Sequence, residues 1–343
     1  MMQKELFTSL LAPLPILHKI LIINMLTMHI GGGYSTIQRD SSNIMKGILA
    51  ILIILGHNSI LTKNIPGLYD YLYSFHVLIF FILPWFYIAK VPTWHDFAKR
   101  SGKIWFWYLV FFMVQVIFYH LLFDTTFSPI ETIKAFFLGG HTLLKGVTGY
   151  MYLWFMPAFF FAMLIRDVYT ISSKVVRYAM IATSLIVVSF FAFHAYTQDI
   201  AIVQGIYFAG LGIITSQIQL PKHNIYRWLI VLLFAVCSIL MFMDSIKVVI
   251  KPFMPLVAFF AIWSIIEWGK KYIIWLQSIG NLSMFIYLTH PLIFQCLLRI
   301  VPNNYSPIVY GFIIFVLTTI ISIIVSWCMQ KTIKSIPIIN KYL

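Results

Sequence analysis

From Ile44 onward the chain repeats one unit, an apolar run of about 18 or more residues followed by a short polar connection. Wound as an α-helix, such a run crosses a hydrocarbon layer of ~30 Å. The runs fall near 44–61, 71–90, 104–123, 151–168, 178–195, 200–218, 226–243, 249–267, 279–299 and 307–329. In lipid every backbone N–H and C=O must be paired within the segment, so runs of this length fold as helices. The fold class expected is an all-α polytopic integral membrane protein of about ten transmembrane helices. Composition agrees, because a chain that is 61% hydrophobic and 10% charged over 343 residues has more apolar surface than a soluble core can bury.

Residues 1–38 read as an N-terminal extension. Their apolar stretch is broken by Pro13, Pro15, His18 and Lys19 and followed by Gly31-Gly32-Gly33, which suits an interfacial segment better than a span. Residues 39–343 form the membrane domain. The longest connection, 124–150, holds Glu131 to Leu138, which suits a short surface helix.

The formal net charge of +14 calls for a partner only if its placement demands one. With ten spans and both termini cytoplasmic, the outer side carries only Lys63, Lys134, Lys145, Lys247, Lys251 and Arg299. The inner side then holds roughly three-quarters of the Lys and Arg residues, the bias that orients membrane proteins. Nucleic acid is not needed to explain the charge. Cys237, Cys296 and Cys328 all lie in apolar runs and are expected as small core residues, with neither a disulfide framework nor a metal site.

The acids fall in connections or at span ends in this layout, so no carboxylate stands near the midplane as an ion-coupled transporter would require. Imidazoles do enter the spans. In KGILAILIILGH, Lys46 and His57 are eleven residues apart, which places them on one helix face about 16 Å apart. His290 lies eleven residues past Ile279 and His76 five past Tyr71, so all three rings converge in the outer half of the layer. His120 and His194 sit near span ends and look interfacial. Ser283, Tyr287 and His290 form a polar stripe in GNLSMFIYLTHPLI, and Pro291 is expected to interrupt the helix just after it. A snorkelling lysine and an interhelical hydrogen-bond seam would account for the same residues without chemistry. Arg100 and Lys103, at the inner start of the third span, suit either phosphate binding or topological anchoring.

Taken as an ordered set, Lys46-x10-His57, YSFHVLIFF around His76, RSGK at Arg100 to Lys103, YLWFMPA around Trp154 and GNLSMFIYLTHPLI resemble the membrane acyltransferase type 3 family. The resemblance covers about residues 39 to 330, and its nearest flavour is the fucose 4-O-acetylase-like branch of sugar O-acetyltransferases. It implies a multi-pass protein of the bacterial cytoplasmic (inner) membrane. Such a protein moves an acetyl group from cytoplasmic acetyl-CoA, the co-substrate, to a hydroxyl of a cell-envelope glycan or lipid-linked sugar. The implied partners are membrane lipid and that acceptor, and the oligomeric state, a homo-oligomer included, stays open.

Carried onto this chain, Arg39, Lys46, Arg100 and Lys103 would hold the CoA phosphates and His57 would act as general base. His76, Tyr287 or His290 would orient His57 or stabilise the oxyanion. An acetyl-imidazole intermediate is the other chemical route. A transporter or flippase for a lipid-linked sugar or acyl group would use the same cations without breaking a thioester. The sequence departs from the family where relatives show Ser-Gly after the second-span Phe run and this chain has Leu83-Pro84-Trp85.

Overall fold

A computed structural model describes residues 38–86, 93–123, 128–149, 152–193 and 200–336. Apart from Gln38, the extension expected at residues 1–38 lies outside these residues, as does His194. Among the described residues the regular elements are all helical. They are α1 (Arg39–His57), α2 (Ser59–Asn64), α3 (Leu68–Tyr73), α4 (His76–Ile82), α5 (Trp94–Phe123), α6 (Pro129–Leu138), α7 (His141–Thr148), α8 (Phe155–Ile171) and α9 (Lys174–Phe193). After these come α10 (Ala201–Ser216), α11 (Asn224–Leu240), α12 (Asp244–Ile250), α13 (Met254–Ile273), α14 (Leu276–Ile300) and α15 (Pro307–Ser335). Short 3-10 turns join some of them, at Leu83–Phe86, Tyr152–Trp154 and Lys251–Phe253.

Among the described residues, 7 helical segments are long and apolar enough to cross a membrane, and α10 and α11 are shorter apolar helices. The protein is therefore a multi-pass membrane protein. α1 is not one of the seven, because its first two turns carry Arg39, Asp40, Ser41, Ser42, Asn43 and Lys46. The surface helix expected near Glu131 to Leu138 is present as α6.

The centre of the fold is the contact between α1 and α14, the most extensive helix pair among the described residues. It is made backbone to backbone. A Cβ on Gly47 would stand 2.3 Å from the carbonyl oxygen of Leu276, and one on Gly280 would stand 1.7 Å from that of Asn43. Small residues let membrane helices approach this closely, and dispersion contacts rather than water exclusion then hold them. Polar pairs pin the same end of α1 to two helices: Ser41 Oγ donates to Glu267 of α13 at 2.6 Å, and Gln277 of α14 donates to Asp40 at 3.0 Å. At the far end Asp70 of α3 accepts from Lys251 at 3.0 Å and Lys247 at 3.5 Å, tying α3 to α12 and the turn after it.

Several expectations need correction. The run 44–61 is two helices, because Asn58 ends α1 and caps α2: its side-chain oxygen accepts from the N–H groups of Ile60 and Leu61, each at 3.1 Å. The run 71–90 breaks at Ser74 and Phe75, between α3 and α4. Pro291 does not interrupt its helix. α14 continues through it to Ile300, since flanking turns hold the backbone where the proline lacks an N–H. Only Cys237 is buried, whereas Cys296 and Cys328 face outward, where lipid accepts a small apolar side chain as well as a core does.

The α1–α14 contact yields a stability prediction. Gly280→Ala should lower the melting temperature and the monodisperse yield in detergent, since the new methyl meets backbone and costs about 1–3 kcal/mol or more. Gly102→Ala, where nothing lies within 4 Å, should leave both unchanged. Thermal unfolding followed by size-exclusion chromatography checks the pair.

Candidate functional site

The break after His57 builds the site. Asn58 is fully buried, and its side-chain nitrogen donates to the carbonyl of Gly311 on α15 at 2.7 Å. The last residue of α1 is thereby fixed in place, and that residue is His57, only 8% exposed. His290, in the middle of α14, meets it: His57 Nδ1 lies 2.6 Å from His290 Nε2, with the rings 4.9 Å apart and within 4° of parallel.

The other nitrogen of His290 fixes the protons. Its Nδ1 lies 3.0 Å from the carbonyl of Ile286, which can only accept, so Nδ1 carries the hydrogen and Nε2 the lone pair. His57 must then donate from Nδ1 to that lone pair. The pattern assigns neutral His57 one tautomer, with its Nε2 lone pair directed away from His290. The chain of donors runs from His57 through His290 to a backbone carbonyl.

Three tyrosines surround this pair. The Tyr152 ring is 3.9 Å from the His57 ring, and Tyr73 is 5.9 Å away. Tyr287 donates its hydroxyl to the carbonyl of Tyr152, and its ring lies 6.1 Å from that of His290. His76 is also close but differently engaged. It is fully buried, its Nδ1 donates to Leu72 O, and its Nε2 has no partner among the described residues. That Nε2 lies against Gly56, where an added Cβ would stand 3.1 Å away. All three histidines read from the sequence thus gather at one place, two joined by a hydrogen bond and the third alongside.

The predicted cations divide. A cavity of about 520 Å³ has Arg39, Ser42, Asn43, Lys46 and Lys103 at one end and is lined further in by Ile53, Phe80, Phe155, Phe159, Phe285 and Tyr287. Arg39, Lys46 and Lys103 are therefore brought together as expected. Arg100 is not among the lining residues. It forms an ion pair with Asp167, which also lies 3.3 Å from Arg166, and Arg166 donates to the carbonyl of Pro84 at 3.2 Å. An acid flanked by two guanidiniums offsets its own burial and braces the cavity wall.

Leu83 and Pro84 line the cavity, while Trp85 turns away to pack on Tyr169 and over Gly212, so the departure from the family pattern shapes the wall without filling the space. His57 does not line the cavity. The lining ends one helical turn short, at Ile53 on α1 and Tyr287 on α14, so Tyr287 belongs both to the lining and to the surroundings of the imidazole pair.

Sequence reasoning missed Asn58, Tyr73, Tyr152, Arg166 and Asp167. Asn58 was visible as the one amide directly after the buried histidine. Asp167 was visible as an acid between two apolar stretches, but its partner stands 67 residues away.

Comparison with known proteins adds one match. A family model described as an acyltransferase domain covers residues 39–327. No curated protein matches, and no solved structure does.

The donor chain predicts a spectroscopic signature. In protein labelled with 15N-histidine, the His57 ring should show a single neutral tautomer carrying its proton on Nδ1. His290→Phe should convert it to a mixture of tautomers or to the opposite one, as read from long-range 1H–15N correlations.

Proposed function

This chain belongs to the acyltransferase 3 family, and we propose that it carries an acetyl group from acetyl-CoA to a hydroxyl of a cell-envelope glycan or lipid-linked sugar. The observation that carries the reading is the placement of the cavity. Three cations stand at one end of its lining, apolar side chains line the rest, and the lining ends one helical turn from a pair of hydrogen-bonded imidazoles. A donor with an anionic head, a long thin arm and a thioester at the tip matches that sequence of environments.

In this reading Arg39, Lys46 and Lys103 take the phosphates of CoA, with Ser42 and Asn43 beside them. Arg100 serves the wall through Asp167 rather than the phosphates. The Lys and Arg bias favours ten spans with cytoplasmic termini, and the family resemblance a bacterial inner membrane; in that layout these cations face the side where acetyl-CoA is made.

His57 Nε2 removes the proton from the acceptor hydroxyl as its oxygen attacks the thioester carbonyl. The C–S bond then breaks, and the departing thiolate takes the proton back from the imidazolium. His290 acts through His57, holding its tautomer and ring plane. Of the side chains considered for the oxyanion, His76 and His290 have their donors committed to backbone carbonyls. Tyr287 is the group that can serve, once its hydroxyl leaves the Tyr152 carbonyl. The transporter reading gains no such support: the buried acid Asp167 is already neutralised by Arg100 and Arg166.

His57→Ala should reduce transfer of labelled acetyl from acetyl-CoA by about 10²- to 10⁴-fold while the protein stays folded in the membrane. Lys46→Gln or Lys103→Gln should raise the KM for acetyl-CoA roughly tenfold with little change in kcat, as expected for a lost charge-assisted hydrogen bond. Full activity in His57→Ala would remove the imidazole from the mechanism.

A further inference from the structure

The end of α1 away from the cations has its own feature. Tyr69 is 50% exposed, and its ring stacks on Tyr73 at 4.2 Å with 27° between the planes. Tyr73 in turn stands 5.9 Å from His57 and meets His76 edge-on at 4.9 Å. The two tyrosines are four residues apart on α3, so one helix face carries both. The result is a staircase of rings from an exposed aromatic face down to the buried imidazole.

We propose that Tyr69, backed by Tyr73, is the outer platform of the acceptor subsite, on which one pyranose of the glycan lies while a neighbouring unit of the same chain carries the hydroxyl that reaches His57. This rests on the O-acyltransferase reading above. The chemistry favours a sugar over other alcohols. A pyranose presents a face of C–H groups that carry partial positive charge, and the face of a tyrosine ring is negative, so the two stack without the sugar giving up its peripheral hydroxyls to a dry site.

Polar groups at the rim fit the same ligand. Asp70, next to Tyr69, is partly exposed and held by Lys247 and Lys251, so carboxylate and ammonium groups stand ready to bond ring hydroxyls beside the platform. An interfacial tyrosine belt accounts for an exposed Tyr69 alone. It gives no reason for that ring to be stacked on a second one that packs against both buried histidines. The arrangement also separates the substrates, since the donor cavity lies on the cationic side of Tyr287 and the platform on the side of α3.

The test uses full-length protein in detergent, labelled acetyl-CoA, and polysaccharide from the producing cell's envelope stripped of its esters by mild alkali. Tyr69→Ala should raise the KM for polysaccharide roughly five- to tenfold, the scale of one lost aromatic stack, without moving the KM for acetyl-CoA. Tyr69→Phe, which keeps the ring, should restore the wild-type KM. An unchanged polysaccharide KM in Tyr69→Ala, or an equal rise in Tyr69→Phe, would overturn the platform while leaving the acyltransferase intact. If the wild-type protein transfers acetyl neither to polysaccharide nor to water, the function itself fails and the platform with it.

Discussion

Two helices touching without side chains between them decide the rest of this molecule. Gly47 of α1 and Gly280 of α14 lie against each other's backbones. Each is followed ten residues later by a histidine, His57 and His290. Ten residues of α-helix rise about 15 Å on either strand of the pair, so a contact fixed at the glycines delivers both imidazoles to one level. The hydrogen bond between the rings is thus a product of register, set about half the thickness of the hydrocarbon layer away. A side chain at either glycine would separate the helices where the cavity opens and the rings where it ends.

Charge is arranged around that axis in two different ways. At the cavity mouth Arg39, Lys46 and Lys103 line the cavity, Lys46 also donating to Asn43 at 3.3 Å. Behind the wall Arg100 and Arg166 close on Asp167, which uses up the field of all three in holding α5, α8 and the turn at Pro84 together. Residues only three apart on α5, Arg100 and Lys103, therefore have separate employments.

Much of this was legible in the chain itself. The apolar runs specify a helical membrane protein, and the spacing from Lys46 to His57 put a cation and an imidazole on one helix, as found. Equal depth correctly suggested that His57, His76 and His290 belong together. The helix breaks were not legible, because apolar residues continue on both sides of Asn58 and of Ser74. What ends α1 is a bond from Asn58 to Gly311, 253 residues distant, and no local pattern encodes it. The partner of Tyr287 was hidden for a related reason. A tyrosine on a polar stripe can turn its hydroxyl to several neighbours, and the choice is made by the Tyr152 carbonyl from a different element. The count of runs exceeds the number of long apolar helices because α1 spends its first turns on polar residues and α10 and α11 are short.

The donor chain from His57 through His290 stops at the carbonyl of Ile286 rather than at a carboxylate. In a serine protease the last member of the relay is an anion that compensates the imidazolium formed during attack. Here only a neutral dipole stands in that place. Under the proposed mechanism, a proton captured by His57 has no counter-charge to keep it, and it is handed on as soon as an anionic leaving group forms. A thiolate is a stable enough anion to depart before it is protonated, whereas an alkoxide or an amide nitrogen is not. Under that mechanism the thiolate needs no carboxylate behind the relay, and the direction of transfer comes from the thioester's own activation rather than from the site.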